Sequence, residues 1–246
     1  MGEMDQNAIF VPEIAADQVA AAARPLPGVQ PVQGPWITVD AAYTAQLEEK
    51  ARLLAERRDD VLAVTPGAEA ACNEALAFVL EAFGQRADVA ITAERIVRPD
   101  GVAIARGGPP LEVLAQILQE DICIMARDGS DEHILIAACL CFPASWTLAE
   151  KIGQPLVRIH RPVEGYDDVA ARVQRLFDGV QVGRPLWRAN LHAYAEPTLF
   201  HPRREADPRR PTEVTPYLRS ERQTILRLPR TGAVIFAIHT SMARAA

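Results

Sequence analysis

Two apolar β-type runs followed by a broken helical stretch constrain the fold of this chain more strongly than any other feature. Residues 122–126 and 134–142 are rich in Ile, Leu, Ala and Cys, and the polar residues 127–130 between them favour a tight turn. The two runs therefore predict an antiparallel hairpin. The stretch 142–163 then opens a short helix, is interrupted by glycine and proline, and delivers one histidine, His160.

The order of the elements that follow predicts an α+β fold. A helix is expected over 166–180, a strand over Leu186–Tyr194, and a closing hairpin from the runs 223–228 and 233–240. Helices inserted after the second strand of an antiparallel sheet are the arrangement of a PAS-like domain. The sequence therefore predicts a PAS-like antiparallel sheet with inserted helices.

The chain is expected to form an arm and one domain. Residues 1–34 are rich in Ala and Pro, and the prolines predict an extended arm. Residues 35–246 are expected to form a single domain, with an N-terminal helical cap over 35–120 and the PAS-like core over 121–246. The expected cap elements are helices that begin after Asp40, after Pro66-Gly67 and at Pro110, and a hairpin over 91–105.

Charge and composition exclude several classes of partner. The net charge of −6 argues against a nucleic-acid partner, and the longest apolar run is too short to cross a membrane. The four cysteines form no CxxC pair, so they predict reduced, buried thiols of a cytoplasmic protein and offer no iron–sulfur cradle. No nucleotide-binding or flavin-binding motif is present.

The strand Leu186–Tyr194 alternates between apolar and polar residues. Its polar side carries Arg188, Asn190, His192 and Tyr194. Two interpretations fit the alternation: a solvated outer face, or the wall of a pocket for a polar or anionic ligand.

A long loop rich in arginine is predicted over 198–221. Such a loop either meets carboxylates, phosphates or an acidic partner, or faces solvent. The remaining histidines, His133, His201 and His239, have no spacing that suggests a metal cluster.

Six segments of the chain resemble the haem-dependent oxidative N-demethylase α-subunit family. They occur in the family's order and cover most of the chain after residue 34, with Trp36 close to the start. The segments are FPASW (142–146), EKIG (150–153), IHRPV (159–163), GRPLWRAN (183–190), RSERQT (219–224) and LPRTGAV (228–234).

The resemblance implies a PAS-like fold that binds haem b and an oxidative N-demethylation of a small amine by oxygen. It also implies a separate flavin and iron–sulfur reductase as the electron donor. His160 is the metal ligand that the resemblance indicates, because imidazole is the commonest axial donor and this residue lies in the helical insertion. His192 is the rival ligand or a distal group. Arg188 and Arg222 are the candidates for the haem propionates, with Asn190 on the same polar strand.

The sequence leaves more than one candidate for the group that binds the substrate and more than one candidate function. A cationic amine needs a carboxylate, and the candidates are Glu150, Glu164 and Glu221. Two residues depart from the family pattern: His239 replaces an expected arginine and Leu191 an expected tryptophan. The alternatives to an enzyme are a non-catalytic haem-binding sensor and a haem-free interaction module.

Overall fold

An antiparallel sheet forms the centre of the protein in a computed structural model that describes residues 8–127, 129, 132–160, 170–208 and 214–245. Within these residues the sheet has seven strands in the order β1-β8-β9-β10-β6-β7-β2. A smaller sheet contains β3, β4 and β5. The strands are β1 (Gln30–Pro31), β2 (Leu62–Val64), β3 (Ala90–Ile91), β4 (Arg95–Val97), β5 (Ala103–Ala105), β6 (Asp121–Ala126), β7 (Ile134–Cys139), β8 (Leu186–Tyr194), β9 (Tyr217–Arg227) and β10 (Val234–Arg244).

Helices occupy both sides of the large sheet. They are α1 (Ala16–Ala22), α2 (Tyr43–Glu56), α3 (Arg58–Val61), α4 (Glu69–Phe83), α5 (Pro110–Ala115), α6 (Leu156–His160), α7 (Ala170–Gly179) and a 3-10 helix (Leu148–Glu150). The first part of the helix predicted over 166–180 and the turn residues 128 and 130 lie outside the described residues.

One face of the sheet, here called the insertion face, carries Cys123, Ile225 and Ile238. The 3-10 helix, α6 and α7 bury Leu148, Leu156, Phe177 and Val180 against this face. All three helices come from the segment between β7 and β8, so the prediction of helices inserted after the second strand of an antiparallel sheet is confirmed.

The opposite face, here called the cap face, carries Ile124, Ala137 and Ile235. It is packed against α2, α4 and α5, which contribute Leu53, Val79, Phe83 and Leu114 to one buried cluster. Burial of apolar area on both faces is the main force that holds such a layered fold together. The α+β class with an N-terminal helical cap is therefore confirmed.

The N-terminal arm is more regular than its prolines predict. Residues 16–22 form α1, and Gln30–Pro31 pairs with Trp187 and Leu186 at the edge of the sheet. The helix forms between the prolines, where alanines dominate, and it packs Ala21 against Trp187 and Ala189. The arm therefore covers the edge strand β8.

Strand β9 starts earlier than predicted, which shortens the arginine loop. Tyr217 already pairs with Tyr194 across the β8–β9 ladder, and the pairing continues without interruption to Ile225. Arg219 and Glu221, expected in a loop, therefore lie inside the strand. Their charges fit there because their side chains form an ion pair with a distance of 3.2 Å between Nη2 and Oε1.

Three properties of the described residues bear on function. None of their helices is long and apolar enough to cross a membrane. The cysteines are free and buried, with the sulfurs of Cys139 and Cys141 at 3.9 Å. No group of three or more His, Cys, Asp or Glu residues in the described part of the chain is arranged to hold a metal ion.

Candidate functional site

The turn before α6 is fixed to the first residues of β7. Gly153 has a φ of 73°, a conformation that favours glycine, and its N–H donates to the carbonyl of Leu135. The N–H of Leu156 donates to the carbonyl of His133. These bonds start α6 at the sheet, and His160 lies one turn after its first residue.

The imidazole of His160 is oriented by the backbone of its own helix. Its Nδ1 lies 2.9 Å from the carbonyl oxygen of Leu156, one helical turn earlier, so Nδ1 carries the proton and donates. Burial lowers the pKa of His160 below its usual value, and the charges of Lys151 and Arg188 act in the same direction. Burial therefore favours the neutral form of the ring, whose lone pair is on Nε2 when Nδ1 donates.

A row of paired polar side chains runs along β8 and β9 on the insertion face. Arg188 donates from Nη1 to Oε1 of Gln223 at 2.7 Å. Asn190 and Glu221 bond reciprocally: Nδ2 of Asn190 donates to Oε2 of Glu221 at 3.2 Å, and the N–H of Glu221 donates to Oδ1 of Asn190 at 3.1 Å. The polar strand face is therefore an ordered network of half-buried and exposed side chains.

The guanidinium of Arg188 has an unsatisfied hydrogen-bond donor among the described residues. Its Nε is buried and has no hydrogen-bond partner among the described residues. Burial lowers the pKa of Arg188 below its usual value, and the carboxylate of Glu221 opposes that effect. An arginine that is partly stripped of water and has an unsatisfied N–H is suited to binding an anion.

Arg219 joins this row to the FPASW segment. Its guanidinium donates to the carbonyl oxygens of Phe142 at 2.5 Å and Leu199 at 2.9 Å, and its side chain is 1% exposed. The same group lies 5.7 Å from the ring centroid of Tyr194. A single buried cation thus ties the start of the insertion to β9 and to the loop after β8.

Two predicted site residues are not brought together with His160. Arg222 pairs with Ala189 and so lies on the cap face, where its guanidinium is 4.5 Å from the ring centroid of Trp187. Arg222 and Arg188 therefore cannot serve one group on the insertion face. His192 continues the polar row, but its side chain is exposed.

The carboxylates proposed to meet an amine have different environments. Glu150 accepts a bond from the hydroxyl of Thr147 at 2.6 Å and from the N–H of Glu205. Glu221 lies in the polar row beside Asn190. Glu164 lies outside the described residues, as do the RPV part of the IHRPV segment and Arg209 and Arg210 of the loop.

Sequence reasoning missed three residues of the site. Gln223 was treated only as the start of a strand, although it holds Arg188. Lys151 and Glu205 form an ion pair of 2.5 Å beside α6, and hydrogen bonds from Arg158 and then Lys151 lower the pKa of Glu205 to about 2. The alternation of Arg219, Glu221 and Gln223 was a signal that could have placed Gln223 beside Arg188. No local pattern in the sequence marks the ion pair between Lys151 and Glu205.

Two cavities lie away from His160, around Trp36. One of about 370 Å³ is lined by Phe78 and Leu226, and a neighbouring one of about 640 Å³ by Ile37 and Arg86. Leu226 belongs to the cap-face cluster. The cavities are therefore separated from the polar row by the sheet.

Comparison with known protein families gives a match over most of the chain. The model of the family described as "haem-dependent oxidative N-demethylase, alpha subunit-like" matches residues 29–246. The match includes α6 with His160 and the polar row on β8 and β9. The chain therefore belongs to the haem-dependent oxidative N-demethylase, alpha subunit-like family.

Proposed function

We propose that this protein binds haem b and carries out the oxidative N-demethylation of a small alkylamine in the cytoplasm. Oxygen is the oxidant, and the electrons come from a separate flavin and iron–sulfur reductase. The family description supports the haem dependence, the demethylation and the role as one subunit among others. The position of the helices between β7 and β8 supports a PAS-like core, because the PAS-like interpretation expects the haem ligand in that insertion.

The imidazole of His160 is the observation that carries the proposal. A histidine that ligates a metal commonly donates its other ring N–H to a backbone carbonyl, which fixes the tautomer and the orientation of the ring. The bond from Nδ1 to the carbonyl oxygen of Leu156 has this form. His160 would therefore hold the iron through Nε2.

Arg188 provides the second point of fit. Haem carries two carboxylates, and arginine is the side chain best suited to them. The buried Nε of Arg188 lacks a partner among the described residues, so a carboxylate would satisfy it. Gln223 holds the guanidinium at Nη1 and leaves this edge available.

The other residues would shape the site and bind the amine. Haem, when bound, would supply the oxygen activation. Leu156 and Phe177 cover the insertion face and exclude water from it. Both described carboxylate candidates for an alkylammonium group already have partners: Glu221 pairs with Arg219 and accepts from Asn190, and Glu150 accepts from Thr147 and from the backbone of Glu205. We propose Glu221 because it lies in the polar row, so the ammonium group would share this carboxylate with Arg219.

An absorption spectrum of the protein expressed with a haem precursor tests the proposal. We expect a Soret band in the wild type that is lost or shifted in His160→Ala and restored by added imidazole. His192→Ala is the matched control, because its side chain is exposed, and it should retain the wild-type spectrum. A wild type without a Soret band, even after titration with haem, contradicts the proposal and leaves a haem-free interaction module.

Arginine variants and a turnover assay form the second stage of the test. Arg188→Met should weaken haem binding, whereas Arg222→Met, on the cap face, should not. With a flavin and iron–sulfur reductase present, the haem-loaded protein should release formaldehyde in proportion to the added alkylamine. Haem binding without any such release would identify a non-catalytic sensor instead.

A further inference from the structure

A buried lysine lies directly beneath the helix that ends in His160. Lys151 follows the 3-10 helix, and its side chain is only 3% exposed. Its Nζ donates to Oε1 of Glu205 at 2.5 Å and to the backbone carbonyl of Ile159 at 2.7 Å. The residue thus connects a loop carboxylate to the peptide group immediately before His160.

Glu205 is itself held from two further directions. Its Oε1 also accepts from Nη1 of Arg158 at 2.9 Å, and its backbone N–H donates to both carboxylate oxygens of Glu150 at 3.1 and 3.2 Å. The loop that carries Glu205 is fixed once more where the N–H of Ser145 donates to the carbonyl of His201 at 2.9 Å. The carboxylate therefore has a defined position.

The segment that carries His160 is described over Leu156–His160. Most of the stability of a helix in a protein comes from contacts outside the helix. Lys151 supplies one such contact, because its charged Nζ donates to the carbonyl of Ile159, next to His160.

We propose that Lys151 and Glu205 form a clasp that positions His160. The clasp fixes the peptide group between Ile159 and His160 and, through it, the direction in which the imidazole faces. The inference rests on the proposed function, since the direction of the ring matters for binding iron. Lys151 is a positioning residue, because its contact is with the backbone next to His160.

Amide hydrogen exchange of the haem-free protein tests the clasp without reference to haem. Lys151→Met, which removes the bond to Ile159, should accelerate exchange over residues 156–160 by about tenfold or more. Glu205→Gln, which leaves that bond but removes the opposite charge that holds Lys151, should accelerate it by a smaller factor. Arg158→Met is the matched control: it removes another partner of Glu205 but leaves the bond to Ile159 intact, so exchange should stay near the wild-type rate. Wild-type exchange rates in Lys151→Met overturn the inference.

The haem-loaded protein tests whether the clasp acts on the ligand. Outer partners of metal-binding histidines typically contribute 10–100-fold to metal affinity, so Lys151→Met should lower haem affinity by roughly tenfold or more and shift the iron–histidine stretching band. Lys151→Arg should restore both. Glu74→Gln, a buried carboxylate elsewhere, controls for a general loss of stability and should leave the band unchanged.

The two proposals fail in different ways. A wild type without haem contradicts the proposed function, and hydrogen exchange still decides whether Lys151 orders α6. A wild type that binds haem through His160, with a band and an affinity that Lys151→Met leaves unchanged, overturns the clasp and retains the proposed function.

Discussion

The ion pair between Lys50 and Asp121 anchors the start of the insertion inside the core, and breaking it should cost several kcal/mol. Nζ of Lys50 lies 3.0 Å from Oδ1 of Asp121, and the two side chains are 1% and 0% exposed. The lysine also donates to the carbonyl of Glu120 at 2.7 Å. The other oxygen of Asp121 accepts the N–H of Phe142 at 2.6 Å.

The magnitude follows from the burial of both charges. Asp121→Asn retains an acceptor for Phe142 but leaves the ammonium of Lys50 buried without an opposite charge. Removal of one partner of such a pair costs about 3–5 kcal/mol. For a chain of 246 residues this loss lowers the melting temperature by roughly 10 °C.

Urea unfolding followed by tryptophan fluorescence measures this cost in a double-mutant cycle of Asp121→Asn and Lys50→Met. The double variant should be destabilised by less than the sum of the single variants, because it contains no unpaired buried charge. Arg52→Met on the same helix is the control; its side chain is 47% exposed, and its loss should cost less than about 1 kcal/mol. The reasoning is refuted if Asp121→Asn and Lys50→Met lose no more unfolding free energy than Arg52→Met. It is also refuted if the losses of the two single variants add up to that of the double variant.

Two further predictions concern other buried groups. Burial lowers the pKa of His133 to about 4 from an ordinary 6.5, so the unfolded chain binds the proton first. Up to about 3 kcal/mol of stability should be present above pH 6.5 and be lost as the pH falls towards 4, and His133→Gln should flatten this part of a stability–pH curve. Glu74 accepts the backbone N–H groups of residues 230 and 231 at 2.6 and 2.7 Å. Glu74→Gln should therefore cost about 1–3 kcal/mol of unfolding free energy, measured by urea denaturation.

The one strand with a strict alternation was predicted to the residue. Leu186–Tyr194 has the predicted bounds because apolar residues on one side are covered by α1, while polar residues on the other side bond to β9. The hairpins around Gly101 and Gly129 also follow from their turn residues. Period and turn chemistry are local properties, so a single sequence reveals them.

The start of β9 was missed because its polar residues resemble a loop. Arg219, Glu221 and Gln223 have the period of a strand, but no apolar residue marks a buried face among them. In the structure Arg219 and Glu221 are buried and Gln223 is half-buried, because each charge or amide finds a partner on the adjacent strand or within the row. A run of polar residues indicates exposure to solvent only when the side chains have no hydrogen-bond or ion-pair partners in the protein. Those partners become known only when the pairing of the strands is known.

For the same reason, the sequence does not show that Arg188 and Arg222 lie on opposite faces of the sheet, or that Lys151 contacts Glu205. Chemical type makes both arginines candidates for a carboxylate, and only the register of β8 with β9 shows that they lie on opposite faces. Lys151 and Glu205 are 54 positions apart, and neither belongs to a periodic pattern. Their pairing exists because the loop returns to the insertion at Ser145, a contact made by backbone groups that every sequence possesses. His160 therefore stays a prediction that the family resemblance and its position in the insertion indicate, whereas the contacts of Lys151 and Glu205 beside it are visible only in the fold.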